Sequence, residues 1–159
     1  MTRKFEPVGP IHLVFEPLDL IRLVVGIVFL TEGLLKFLYP QDLGAGRFAL
    51  IGLPWPGVLG PLVGAVEISG GLLLLLNLVP GYAALALLGV ITTALVTTKL
   101  PVLLGQPLGP FPLMKAPYYG VLGFLHESRT DLSMFAGTLA LLWRNGLGTK
   151  KTGAGQTAP

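Results

Sequence analysis

The chain of 159 residues is 52% hydrophobic and 12% charged, with a mean hydropathy of +0.74; an average soluble domain carries about 25% charged residues, so the composition describes a single integral membrane domain. It contains no cysteine, which excludes disulfides, thiol nucleophiles, cysteine zinc sites, cysteine-ligated iron–sulfur clusters and CxxC redox chemistry. The net charge of +3 comes without a basic stripe, so it bears on membrane orientation and not on nucleic acid.

Residues 1–16 read as a mixed cytoplasmic or interfacial lead. They do not read as a signal peptide, because the apolar segment that follows carries Arg22, Glu32 and Lys36. Pro17 suits the first turn of a helix and Asp19 its N-terminal end. The first expected span covers residues 18–39, near the ~20 needed to cross, and Pro40 ends it. On it Arg22, Gly26, Phe29, Gly33 and Lys36 share one helical face, and Glu32 precedes Lys36 by one turn, the favourable order for an ion pair. Residues 41–56 form an external segment with a stiff Pro54-Trp55-Pro56, where Trp55 reads as an interfacial anchor.

The second span, residues 57–78, carries the strongest pattern. Gly60, Gly64, Glu67 and Gly71 lie on one face. A charge at the centre of a membrane helix costs roughly 2.5–3.5 kcal/mol on insertion scales, so Glu67 is expected to face other helices. Glycines on the same face let a neighbouring backbone come close. Asn77, Pro80 and Gly81 make a tight turn. The third span covers residues 82–99 and ends at Pro101; its Thr92, Thr93, Thr97 and Thr98 bond their own helix or a neighbour. Residues 101–119 are a loop rich in Pro and Gly. The fourth span is the least regular. Uninterrupted apolar character covers residues 132–143, about 18 Å of helix against a ~30 Å hydrocarbon core. Ser128 and Asp131 fit a capping box; alternatively the helix begins near Gly120 and runs through the charges. The membrane domain is thus residues 17–146, followed by a polar, Gly-rich tail, 147–159, of disordered composition.

Four spans put both termini on one side, with Arg3, Lys4, Arg144, Lys150 and Lys151; the positive-inside rule makes that side cytoplasmic. The expected fold is all-α, an integral membrane antiparallel four-helix bundle. Its topology brings Glu32, Lys36, Glu67, Lys99, His126, Glu127, Arg129 and Asp131 into the outer half. Of these, Glu67 and His126 are the candidate catalytic groups, and Glu32, Lys36, Lys99 and Arg129 the candidate ligand-binding groups. The competing reading is structural: buried polar residues of membrane bundles often only fix packing, Arg22 and Lys99 snorkel to the surface, and Asp131 caps a helix. His12 and His126 fall on opposite faces and cannot share a haem iron, and no metal cluster is spelled out.

Several blocks resemble one family. Arg22-Leu-Val-Val-Gly-Ile-Val-Phe-Leu-Thr-Glu-Gly-Leu-Leu-Lys36 is similar to the first helix of DoxX proteins. Arg47-Phe, then Gly-Pro-Leu-Val-Gly-Ala-Val-Glu67-Ile-Ser-Gly-Gly, resembles the second, Thr-Thr-Lys99-Leu-Pro the end of the third, and Leu-His126-Glu-Ser-Arg129-Thr-Asp131-Leu-Ser-Met the start of the fourth. The resemblance implies a four-helix protein of a prokaryotic plasma membrane, surrounded by lipid. It also implies a quinone-interacting subunit of a membrane oxidoreductase, as in thiosulfate:quinone oxidoreductase, and it allows a redox partner subunit and a homo-oligomer. With no cysteine, quinone, substrate or partner must carry the electrons. Transport of a small solute or protons, with Glu67 and Lys36 as a switchable pair, and a non-catalytic assembly or scaffold role are the alternative functions.

Overall fold

The computed structural model describes residues 16–147; the expected lead with His12 and nearly all of the expected tail lie outside the described residues. Among the described residues the chain forms helices and turns, with one isolated bridge between Leu108 and Phe111. Helix α1 (Pro17–Leu38) opens on proline, with Asp19 in its first turn and Lys36 in its last, each at the end its charge suits. A short α2 (Ala45–Leu50) lies in the segment expected to be only a connector. Helices α3 (Pro56–Leu75) and α4 (Pro80–Ala94) also open on proline.

One boundary differs from the sequence expectation, and another falls on one of the two alternatives it left open. The third helical segment does not end at Pro101. It passes from α4 through a π-helical turn, Leu95–Lys99, into α5 (Leu100–Leu104). A proline cannot donate to the preceding turn and its ring crowds that turn's carbonyl; the wider π turn, with Leu100 N–H donating to Leu95 O, accommodates it. The last helix, α6 (Gly120–Asn145), takes the earlier of the two expected starts and runs through the charges. Ser128 is therefore not a cap: its hydroxyl donates to Phe124 O, one turn back on the same helix.

α1 packs on α3, α3 on α4, α4 on α6 and α6 on α1, and α2 covers the start of α3. Val25, Phe29, Leu74, Leu87, Ile91 and Leu141 form the core between them. The polarity is inverted relative to a water-soluble domain. Leu20, Ile27, Val58, Leu122 and Trp143 point outward, whereas Glu67, Thr97, Thr98, Ser128 and Thr138 are buried. Two helical stretches, Pro56–Leu75 and Pro80–Leu104, are long and apolar enough to cross a membrane, and only 33% of each apolar window is buried inside the protein. Most of their apolar surface thus faces away from the core, the reverse of a soluble core helix.

The α1–α3 contact is made by glycine. A Cβ at Gly33 would lie 2.7 Å from Gly64 O, and one at Gly71 would lie 2.7 Å from Gly26 O. Gly26 opposite Gly71 and Gly33 opposite Gly64 set the two helices side by side in opposite senses, with backbones close enough that no side chain fits between. Gly60 makes the same kind of contact with α2, where a Cβ would stand 2.7 Å from Ala45 N. Gly64→Leu drives a branched side chain into Phe37 and the Gly33 carbonyl, and overpacking of this kind costs about 1–3 kcal/mol. The expected result is a clear fall in thermal unfolding temperature in detergent or nanodiscs; an unchanged melt would contradict this contact.

Candidate functional site

The glycine register positions the central charges. With Gly33 opposite Gly64, Lys36 stands level with Pro61, about 9 Å along the axis from Glu67. Helical side chains lean toward their own N-terminus. Because α1 and α3 run oppositely, Lys36 leans inward and Glu67 leans outward, and the gap closes. Lys36 Nζ lies 2.6 Å from Glu67 Oε2, with side-chain exposures of 11% and 6%. Apart from Lys36, Oε2 has no hydrogen-bond partner among the described residues. Glu32, one turn before Lys36, is a second carboxylate 3.9 Å from the ammonium and is half exposed.

Across the molecule a second pair forms. The π turn carries Lys99, whose Nζ lies 3.4 Å from Asp131 Oδ2 on α6. Asp131 is thus a mid-helix ion-pair partner and not a cap. Thr97 and Thr98 are buried beside it, and their hydroxyls donate to Thr93 O and Ala94 O. All four threonines of this segment bond their own helix.

Both pairs open onto one cavity of about 780 Å³. Its apolar wall includes Val28, Phe29, Val63, Ile91 and Met134; α2 and its flanks close one end with Leu43, Phe48, Ile51 and Leu53. Four carboxylates (Glu32, Glu67, Glu127, Asp131) and three cations (Lys36, Arg47, Lys99) line it. Arg47 has no ion pair among the described residues. Charges of both signs on an apolar wall suit a ligand with a small polar head and an apolar body.

The fold gathers Glu32, Lys36, Glu67 and Lys99 of the sequence candidates around this space. His126 and Arg129 lie on the exposed face of α6 and do not line it. Arg129 folds back to donate to His126 O at 2.5 Å. Of the charged lining residues, Arg47 stood outside the expected cluster, and Glu127 and Asp131 stood in it without a ligand or catalytic role. Arg47 enters through α2, a helix too short to show a period. Glu127 and Asp131 are one turn apart on α6, which follows from the alternative start near Gly120 and not from a cap at Ser128.

At the opposite end lies a separate polar cluster. Arg22 does not snorkel outward: its Nη1 donates to Leu74 O at 2.7 Å, at the C-terminus of α3, where a cation meets unpaired carbonyls and the negative end of the helix. Asp19 lies 3.6 Å from Arg22, and Arg144 of α6 pairs with Glu16 and with Asp19. This cluster binds three helix ends together, and none of its side chains lines the cavity.

The DoxX family profile matches residues 18–100. That range includes Glu32, Lys36, Arg47, Glu67 and Lys99 and stops short of the α6 residues. A Mycobacterium tuberculosis protein described as an uncharacterized membrane protein is 48% identical over 126 residues, covering 77% of this chain and 71% of that protein. No solved structure gives a significant match.

The pairing of Lys36 with Glu67 predicts energetic coupling. Removing either partner strands the other as a buried charge, a loss of up to about 3–5 kcal/mol. Glu67→Gln and Lys36→Met should each lower stability, and the double variant should recover much of the loss. Denaturation of all four proteins in one double-mutant cycle checks this; strictly additive losses would show that the two side chains do not interact.

Proposed function

The chain belongs to the DoxX family of membrane proteins, and from that premise we propose that it binds a quinone in this cavity as the membrane subunit of a quinone-dependent oxidoreductase. The observation that carries the reading is Glu67: an almost fully buried carboxylate whose Oε2 is met by Lys36 alone and which lines a cavity of about 780 Å³. The donor set fits the group. A quinone ring offers acceptor carbonyls and a flat apolar face, and the cavity offers Lys36, Lys99 and Arg47 as donors between Phe29, Ile91 and Met134. When bound, a quinone supplies two-electron, two-proton redox chemistry. Lys36 and Lys99 hold and orient the polar edge, each kept in place by a carboxylate. Glu67, ion-paired with Lys36, accepts and passes on protons within reach of the cavity, and Glu32, half exposed beside Lys36, relays them toward the surface. Electrons come from a redox partner subunit, because the chain has no thiol to carry them.

The same reading makes the four long helical segments an antiparallel bundle across a prokaryotic plasma membrane, both termini cytoplasmic. The closed circuit of helix contacts and the outward-facing apolar surface support the bundle. The Lys/Arg bias of the termini supports the orientation.

Two experiments test this. A benzoquinone with a decyl tail should bind the purified protein in nanodiscs, and Glu67→Gln or Lys36→Met should weaken binding by about tenfold or more, the effect of losing one charged contact. If no binding is seen at saturating quinone, the quinone reading is wrong, and solute flux in liposomes would replace it with transport. For orientation, Gln41→Cys and Lys115→Cys, each the sole thiol in a chain without cysteine, should react with an impermeant maleimide on intact cells. Labelling of both only after lysis would reverse the topology.

A further inference from the structure

The cavity reaches the protein surface along the flank of α4. Ala86, Gly89 and Thr93 are exposed on the outside of the protein and at the same time line the cavity. They are spaced by three and four residues, so they form one edge of the helix, about 10 Å long. All three are small. A Cβ built on Gly89 would meet nothing within 4 Å, in contrast to Gly70, where α3 closes on α4 and a Cβ would stand 2.8 Å from Leu87. The two helices are therefore sealed at Gly70–Leu87 and part beyond it, with Leu59 and Val63 on the α3 side of the gap. Gly89 and Thr93 flank the midpoint of the apolar stretch Pro80–Leu104, so in a bilayer this gap opens into hydrocarbon, not into water or headgroups. The end toward α2 is closed by apolar residues.

A second edge of the cavity differs in kind. There Glu32 of α1 and Glu127 and Thr130 of α6 reach the surface. An acidic slot suits protons and water; a small-residue slot facing acyl chains suits neither.

We infer that the gap at Ala86, Gly89 and Thr93 is a lateral portal, through which the apolar tail of a membrane-dissolved amphiphile passes while its polar head lies at Glu67 and Lys36. Two independent observations support it: the small-residue opening at mid-depth, and the space behind it, a cavity of about 780 Å³ lined by the buried Glu67 whose Oε2 meets Lys36 alone. A hydrophilic solute has no route through hydrocarbon; a head with a long apolar chain does. The inference rests on the quinone reading for the head and adds the tail, the route and the residue that sets them. Gly89 is then a specificity-determining position, because any larger side chain there narrows the slot while disturbing no packed neighbour.

The test uses the absence of native cysteine. Met134 lines the cavity and is 9% exposed, so Met134→Cys places a unique thiol inside. In nanodiscs, dodecylmaleimide dissolved in the bilayer should label it readily. Adding Gly89→Phe, or separately Ala86→Phe, should slow that labelling by about tenfold or more, equivalent to an added barrier of at least ~1.4 kcal/mol, while the melting temperature and the reaction with a small water-soluble maleimide stay as before. Equal dodecylmaleimide rates with and without both bulky substitutions would overturn the portal. The quinone reading is separated by a second measurement. The decyl-tailed benzoquinone should lose affinity in Gly89→Phe while the tail-less ring keeps it. If labelling obeys the portal but neither quinone binds the parent protein, the route stands and the head group is not a quinone. If both quinones bind Gly89→Phe as they bind the parent, the head group stands and the route is elsewhere.

Discussion

The contact on which the rest depends is the close approach of α1 and α3 through glycine. Backbones that meet at Gly26–Gly71 and Gly33–Gly64 leave no freedom of register, because sliding either helix would set a side chain against a backbone. That register decides how far Lys36 stands from Glu67, and the N-terminal lean of helical side chains turns a 9 Å offset (roughly six residues of rise) into contact. The ion pair follows from the packing. A buried pair contributes little net stability once desolvation is counted, so the fold does not need it in order to form. Its retention inside an otherwise apolar helix is then better explained by what the charges can do.

The charges divide into two groups with different work. At one end, Arg22, Asp19, Glu16 and Arg144 join the starts and ends of α1, α3 and α6, and each cation meets helix carbonyls or carboxylates. Among the described residues, Arg22 Nε is the one buried side-chain atom there without a partner, and none of these four residues lines the cavity. At the other end the pairs line a cavity: Lys36–Glu67 at 2.6 Å, Lys99–Asp131 at 3.4 Å, Lys36–Glu32 at 3.9 Å, with Arg47 unpaired among the described residues. Full satisfaction marks a structural lock. Partial satisfaction around a cavity is what a ligand with donors and acceptors of its own can complete.

Much of this was legible in the sequence, and the parts that were not share a cause. The face Gly60–Gly64–Glu67–Gly71 carries helical period, and period is what a helix writes into a sequence; from it came the burial of Glu67 and the approach of Lys36. α2 is only Ala45–Leu50, too short for a period, so Arg47 read as a loop charge. Pro101 is a sound stop signal on local chemistry, and it failed because a π turn absorbs the missing donor. Ser128 through Asp131 matched a capping box because a cap and a mid-helix polar turn use the same residue types; only the helix start at Gly120 separates them. His126 read as belonging to the cluster because topology gives depth but not azimuth, and it stands on the outer face of α6.

Glycine shows most sharply why position along a chain is not enough. Gly64 and Gly89 are alike in sequence terms: each is a glycine in the middle of an apolar span, and each costs helix propensity of about 1 kcal/mol relative to alanine. Their environments are opposite. At Gly64 a Cβ would meet Phe37 at 2.8 Å and the Gly33 carbonyl at 3.3 Å, whereas at Gly89 it would meet nothing. The first glycine is there so that two helices can touch. The second makes no such contact, so a close approach of helices does not account for it. A gap left open at the mid-depth of a membrane helix, in front of a cavity with a buried carboxylate, is accounted for if something passes through it. The same residue type thus sets both the wall of the site and the way into it, and only the neighbours across the gap tell the two uses apart.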